Sequence, residues 1–425
     1  MKILFAVLNV ALLSFVAYRV WRRSEESIII RFYWPTLILK AAAGIGLGLI
    51  YLYYYKIPAD TFSFFEDARK LTELARADFS SYVRFLFIDD ETHPLWKEIV
   101  YFQSRALFMV KLTSLLGLLT YDNYWITSLC FSMLSFFGAW KLTNVVVETF
   151  PSTKVVAIIA FLFFPSVVFW SSGVIKESIA MAALFFLCAA VVEIWQGRRL
   201  SWWEWVLVVI SAWLLWRLKY YYLAVFLPVS VAAIITRRLS QTWQVKSIAI
   251  KLVIWAVIFS VPLGVISSLR PNFYPTRILE VIVSNNHEFN AMSDPDDVIQ
   301  YMSLEPSIGS VVRNIPTALV SGIFRPFPWE AHTMFQWLIA MENLLLLVLF
   351  VSSLGNLLKL AKSPQRLLLC SVILYVVALC VFLALSTPNF GTLSRYRISF
   401  LPFLFLLITI ENPLVKKVSA LIQRT

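Results

Sequence analysis

The chain has 425 residues, of which 60% are hydrophobic and only 15% charged, with a mean hydropathy of +0.75. A soluble domain carries about 25% charge, so the composition excludes a soluble globule. The absence of short alternating segments excludes a transmembrane β-barrel. The net charge of +12 does not mark a nucleic-acid binder, because the lysines and arginines gather in particular short loops, the pattern of the positive-inside rule.

Apolar runs of about 20 residues, each long enough for ~30 Å of hydrocarbon, recur along the whole sequence. The fold class expected is all-α, a polytopic membrane protein with about 11 transmembrane helices forming a single integral membrane domain over residues 1–425. In chain order the spans fall near 3–21, 34–55, 124–147, 154–171, 174–195, 202–217, 220–236, 248–268, 333–358, 367–386 and 396–411. The first carries no small-residue cleavage site and reads as a retained span. One set of connections (19–31, 148–154, 193–204, 237–251, 359–366 and 411–425) holds 17 Lys or Arg against 6 Asp or Glu, whereas 56–104 holds 6 basic and 9 acidic residues. The first set is therefore placed in the cytoplasm, with the amino terminus outside.

Residues 105–120 are apolar but short, and Lys111 sits within them. A full crossing here would invert every later loop, so this segment is expected to lie along the outer interface or insert partly. Trp202, Trp203, Trp205 and Tyr220 to Tyr222 crowd span ends as an aromatic belt does. Two long loops, 56–123 and 269–332, face outside and are too long to be simple connections. No internal repeat is evident, which weighs against an inverted-repeat transporter. The four cysteines (Cys130, Cys188, Cys370, Cys380) lie in apolar runs without metal or disulfide spacing.

The first outer loop opens with Asp60, Thr61, Phe64, Glu66, Asp67 and Ala68. The spacing puts Asp60, Phe64 and Ala68 on one helical face. A carboxylate at the mouth of a membrane helix suits a base for a lipid-linked substrate; the plainer alternative is that Asp60 caps the following helix. The pattern resembles the first-loop signature of the C-type (GT-C) glycosyltransferase superfamily, an Asp often followed by Glu, then an aromatic and an Ala. Here Thr61 replaces the second acid, and Phe64 stands where Tyr is common. His93-Pro94-Leu95 is similar to that family's proline-rich element. Ser171-Ser172-Gly173 with Lys176-Glu177 is similar to its next outer turn, where a second acid opens a helix. Trp216, Arg217, Lys219, Tyr220 and Tyr221 resemble its basic turn. The resemblance covers roughly the first 240 residues; beyond them only the layout matches, and the extra first helix departs from the usual start.

Five basic residues oppose the charge trend by lying on the predicted outer side: Arg217, Lys219, Arg325, Arg395 and Arg397. Charge near hydrocarbon is costly and tends to mark function, and guanidinium groups match phosphate geometry. Snorkelling to headgroups is an equal reading for any one of them, but five together point to a shared anionic ligand such as a lipid phosphate. The segment Arg325-Pro326-Phe327-Pro328-Trp329-Glu330 could face substrate or anchor at the interface. Glu342, inside an apolar run, calls for a buried basic partner. The three histidines, His93, His287 and His332, show no compact ligand spacing; a dispersed divalent-metal site with outer carboxylates is conceivable, but ordinary polar loop residues are the better reading.

The resemblance implies transfer of a sugar from a polyprenyl-phosphate donor to a glycan, lipid or protein acceptor at the outer face of a membrane, with membrane lipid but no nucleic acid among the partners. It gives Asp60 the role of base, with Asp67 and Glu177 as further acids. Arg217, Lys219, Arg325, Arg395 and Arg397 become candidates for the departing phosphate, and His93, Trp329 and Glu330 candidates for substrate contact. Two alternatives stay open: a polysaccharide polymerase or ligase using diphosphate-linked glycans, and a transporter of lipid-linked glycans. The short loops and lack of targeting signals favour a bacterial cytoplasmic membrane.

Overall fold

The computed structural model describes residues 2–55, 60–88, 91–269, 274–356 and 362–422. The start of the motif at 57–59, residues 89–90, the start of the second long loop and the tail beyond 422 lie outside the described residues. The chain is 82% helical, and among the described residues its extended pairing amounts to one bridge, Val298 with Asn389. Among the described residues, seven helices are long and apolar enough to cross a bilayer: Ile3–Arg23, Ile30–Tyr53, Tyr124–Thr149, Lys176–Trp195, Trp202–Thr242, Met334–Asn356 and Arg366–Ser386. A pair bent by 68°, Phe390–Ser399 with Leu401–Thr409, makes up to eight if taken as one span. This is an integral membrane protein built from helices.

At three places the expected spans differ from continuous, separate helices. Residues 154–171 break into α-helical Lys154–Ile158, a π-type turn over Ile159–Phe163 and a short helix Pro165–Trp170. The reason is local: Phe164 precedes a proline, which forces its backbone out of the helical region, and it is extended at ψ 119°. The expected pair 202–217 and 220–236 runs as one 41-residue element, Trp202–Thr242, interrupted at Lys219 (φ −142°, ψ 62°). At about 1.5 Å per residue that element measures roughly 60 Å, twice the hydrocarbon core. No proline or glycine adjoins Lys219. The third, 396–411, is the bent pair.

Contacts divide the chain into two compact units. The first comprises Met1–Thr149, Phe161–Ala190 and Leu200–Leu223. In it α1 (Lys2–Arg23) and α2 (Tyr33–Tyr53) pack on α6 (Tyr124–Thr149). From the first long loop, α3 (Thr61–Ala77) lies along α4 (Phe79–Ile88) and α5 (Ser104–Thr120). The α5 helix, 17 residues long, is buried along much of its length, and the Lys111 ammonium donates to the Leu86 carbonyl at 2.9 Å. The loop helices bury Phe64, Leu71, Tyr82, Phe85, Met109 and Val110, each at most 1% exposed. The α2–α6 approach depends on Gly44: a Cβ there would strike the Ser132 hydroxyl, as expected of small residues where membrane helices touch.

The second unit comprises Phe150–Ala160, Val191–Arg199 and Ala224–Thr425. Between its ends run, in order, α7 (Lys154–Ile158), then in the first unit α8 (Pro165–Trp170), α9 (Lys176–Trp195) and α10 (Trp202–Thr242), the last two continuing into the second. Then follow α11 (Ile248–Leu269), α12 (Pro275–Met292), α13 (Ile308–Phe324), α14 (Met334–Ser353), α15 (Arg366–Ser386), α16 (Phe390–Tyr396), α17 (Leu401–Thr409) and α18 (Pro413–Ile422). α12 and α13 both pack on α15. The last carbonyls of a helix need outside donors, and the second long loop supplies them to α15. Tyr301 donates its hydroxyl to the Ala384 carbonyl at 2.8 Å, and Asn286 its amide to Leu385 at 2.7 Å. Burial pushes the Tyr301 hydroxyl well above its ordinary pKa.

Candidate functional site

Asp60 stands at the N-cap position of α3, and its main-chain carbonyl takes the Phe64 N–H at 2.8 Å, but its side chain makes no cap bond. The carboxylate instead accepts from the Tyr101 hydroxyl, 3.1 Å from Oδ1. Its φ of +28° is a left-handed value that a residue with a Cβ holds only under constraint. Helix capping is therefore not what this side chain does.

Tyr101 is fixed from behind by Asp67. That carboxylate, 1% exposed, accepts the main-chain N–H groups of Val100 and Tyr101 at 3.0 Å each and pairs with the Lys70 ammonium at 2.9 Å. The Tyr101 ring also stacks on Phe64 with centroids 4.3 Å apart. Asp67 thus ties the end of the loop to α3 and sets the hydroxyl that meets Asp60. Thr61, the next residue, shares a hydrogen bond of 2.6 Å with the buried Tyr124 hydroxyl.

From Phe64 the constellation continues to α9. The Lys176 ammonium lies 5.3 Å from the Phe64 ring centroid, a cation–π contact. Its neighbour Glu177 is fully buried and pairs at 2.7 Å with Lys219, the residue that interrupts α10 and whose side chain is 4% exposed. Two residues earlier Arg217 rests on the Phe108 ring at 4.8 Å, and Arg105 on the Tyr220 ring at 5.0 Å. The turn before α9 is held by Gly173 at φ +77°. Its N–H donates to the Ser132 hydroxyl at 2.9 Å. Lys40, buried inside α2, donates to the Val168 carbonyl at 3.2 Å and to the Ser171 hydroxyl, closing the carbonyl end of α8 as a cation should.

Within the first unit Tyr101 thus links Asp60 with Asp67, Glu177 pairs with Lys219, and Lys176, the sequence neighbour of Glu177, meets the Phe64 ring. His93 sits on the same loop: its Nδ1 accepts the Leu95 N–H at 3.2 Å, and its ring meets Phe85 edge-on. Asp78, between α3 and α4, is held below its ordinary pKa, first by the Ser81 hydroxyl and then by the Ser81 and Ser80 amides.

The remaining candidates form a second group within the second unit. Arg325 grips Glu330 with Nε and Nη2 at 2.9 and 2.6 Å, and lies over the Phe390 ring at 4.9 Å. Glu330 also accepts the Phe327 N–H at 2.8 Å. Trp329 is 76% exposed and stacked on Phe327. Arg397 is fully buried. It donates to the Ile323 carbonyl at 3.3 Å and lies 3.5 Å from Glu342, so it is the buried base that Glu342 called for. Arg395 lies over the Tyr396 ring at 5.4 Å. His287 and His332 are exposed, and among the described residues no three His, Cys, Asp or Glu side chains gather as metal ligands.

Sequence reasoning passed over Tyr101, Lys176 and Lys40. Tyr101 carried no signal beyond that of an interfacial aromatic. Lys176 was quoted only as the neighbour of Glu177. Lys40 did carry one, being a lysine in the middle of an apolar run. Comparison with protein-family models, with curated proteins and with solved structures finds no match.

Proposed function

We propose that the chain is an integral-membrane glycosyltransferase of the C-type kind, with about eleven crossings, working at the outer face of a bacterial cytoplasmic membrane. It moves a sugar from a polyprenyl-phosphate donor to a glycan, lipid or protein acceptor. The observation that carries this reading is the Asp60 carboxylate. It follows a span directly, leaves its helix uncapped and is oriented by a tyrosine that a buried aspartate holds in place.

The chemistry follows from those positions. Asp60 accepts the proton of the acceptor hydroxyl as its oxygen bonds to the anomeric carbon. The bond from that carbon to the phosphate oxygen breaks, and the phosphate leaves with the electron pair. Cations meet the charge that grows on it. Lys176 and Arg217, each resting on an aromatic face in the same unit as Asp60, are the candidates for that role. Lys219, Arg325 and Arg397 stand beside Glu177, Glu330 and Glu342, so a phosphate would share each of them with a carboxylate. Asp67 positions, and Glu177 holds Lys219 at the α10 break.

Sugar transfer by the purified protein in lipid, offered polyprenyl-monophosphate and polyprenyl-diphosphate sugars side by side, tests the reading. Transfer from the monophosphate donor is expected. Transfer from diphosphate-linked glycans alone would move the protein to the polymerase or ligase class, and no transfer from any donor would leave the transporter.

A further inference from the structure

A pocket of about 100 Å³ lies where the end of α9 meets the last turns of α10, within the second unit. That is room for several waters, and for a phosphate group but not for a nucleotide. Trp195, Gln196, Gly197, Arg237, Arg238 and Gln241 line it. Arg237 and Gln241 are one helical turn apart, and Arg238 is three residues from Gln241, so the three share a face.

The charged side chains that line the pocket, Arg237 and Arg238, are donors. The Arg237 guanidinium lies over the Trp195 ring at 4.4 Å and has no carboxylate partner among the described residues. Trp195 is itself fixed, since its indole N–H donates to the Gln365 side chain at 3.2 Å and it packs with Ala233 and Leu367. The Gln196 and Gln241 side chains make no hydrogen bond among the described residues. The acid at this end of α9, Glu193, is taken by Arg198 at 2.5 Å. Gly197 at φ +85° keeps the backbone open, with nothing within 4 Å of where a Cβ would stand.

Two guanidinium forks and two amides around a small cavity, with the local acid neutralised, match a phosphate's tetrahedral acceptors. We infer that this pocket is a phosphate-binding site separate from the outer-loop chemistry, filled by the head group of an anionic lipid or by a soluble phosphate. Basic pockets between membrane helices on the cytoplasmic side take anionic head groups. The charge pattern of 193–204 and 237–251 puts this end of α9 and α10 on that side.

The test is the thermal stability of the full chain in nanodiscs. One arm adds phosphatidylglycerol stepwise to phosphatidylcholine; the other keeps pure phosphatidylcholine and adds inorganic phosphate or pyrophosphate. A saturable rise in Tm is expected in one arm, and which arm identifies the source. Arg237→Gln should raise the half-saturating concentration at least tenfold. Gln241→Glu keeps both Arg237 and Trp195 and puts a carboxylate in the pocket that repels phosphate and competes with it for the guanidinium groups, so it should do the same even if Arg237→Gln folds poorly. No rise in either arm, or a full rise in Gln241→Glu, would overturn the inference.

Discussion

Replacing Glu177 by Gln removes the carboxylate 2.7 Å from the Lys219 ammonium at a site with no solvent for either group. At that distance and an effective dielectric of about 20, the gross attraction is roughly 6 kcal/mol. Several kcal/mol of desolvation per ion offset it, so the intact pair adds little net stability. Removing one partner is different, because it leaves a buried lysine without that carboxylate; the cost should be about 3–5 kcal/mol. The double variant Glu177→Leu/Lys219→Met removes both charges and should recover most of that loss. Unfolding free energies in mixed micelles, measured for wild type, both single variants and the double variant, close the cycle. A Glu177→Gln variant within about 0.5 kcal/mol of wild type, the scatter of an ordinary surface change, would refute the buried-pair reasoning. So would a double variant as unstable as the sum of the two singles.

Asp67→Ala leaves two loop N–H groups and Lys70 without their carboxylate and should cost about 2–4 kcal/mol; the Tyr101–Asp60 contact should loosen with it, visible as faster amide exchange at Val100 and Tyr101. Gly173→Ala forces a Cβ into a left-handed backbone, 2.9 Å from the Leu47 side chain, and should cost about 1–3 kcal/mol of unfolding free energy. The Asp78 carboxylate is depressed in the folded chain, so its contribution is present above the ordinary aspartate value and lost as pH falls through the folded one. Amide exchange at Ser80 and Ser81 should therefore quicken on acidification, and Asp78→Asn should remove that dependence.

Much of the helical layout was legible because a bilayer imposes its period on sequence. The runs that begin at Ile3, Tyr124, Lys176 and Arg366 are long and apolar, and they form helices of span length. The break at Phe164 was also written locally, in the proline that follows it, although the expected 154–171 span ran across it. The interruption at Lys219 was not. Nothing in Trp216 to Tyr221 breaks a helix, and the partner that accompanies the break, Glu177, is 42 positions away in sequence. Asp60 could be singled out from its place after a span, but its orientation by Tyr101, and the hold of Asp67 on that tyrosine, arise from pairings 34 and 41 residues apart. No periodicity encodes such contacts. Glu342 shows the boundary most plainly: a carboxylate in an apolar run demands a base, and only the packing of α14 near Arg397 names it.

The central claim is that the Asp60 carboxylate performs the chemistry while Tyr101 orients it. The most direct test compares single-turnover sugar transfer from a polyprenyl-phosphate donor by wild type, Asp60→Asn and Tyr101→Phe, with donor binding followed in parallel. The account predicts that Asp60→Asn binds donor normally yet loses at least a hundredfold in transfer rate, the low end of what a positioned base contributes. Tyr101→Phe should fall between it and wild type. An Asp60→Asn variant that transfers at the wild-type rate would contradict the account.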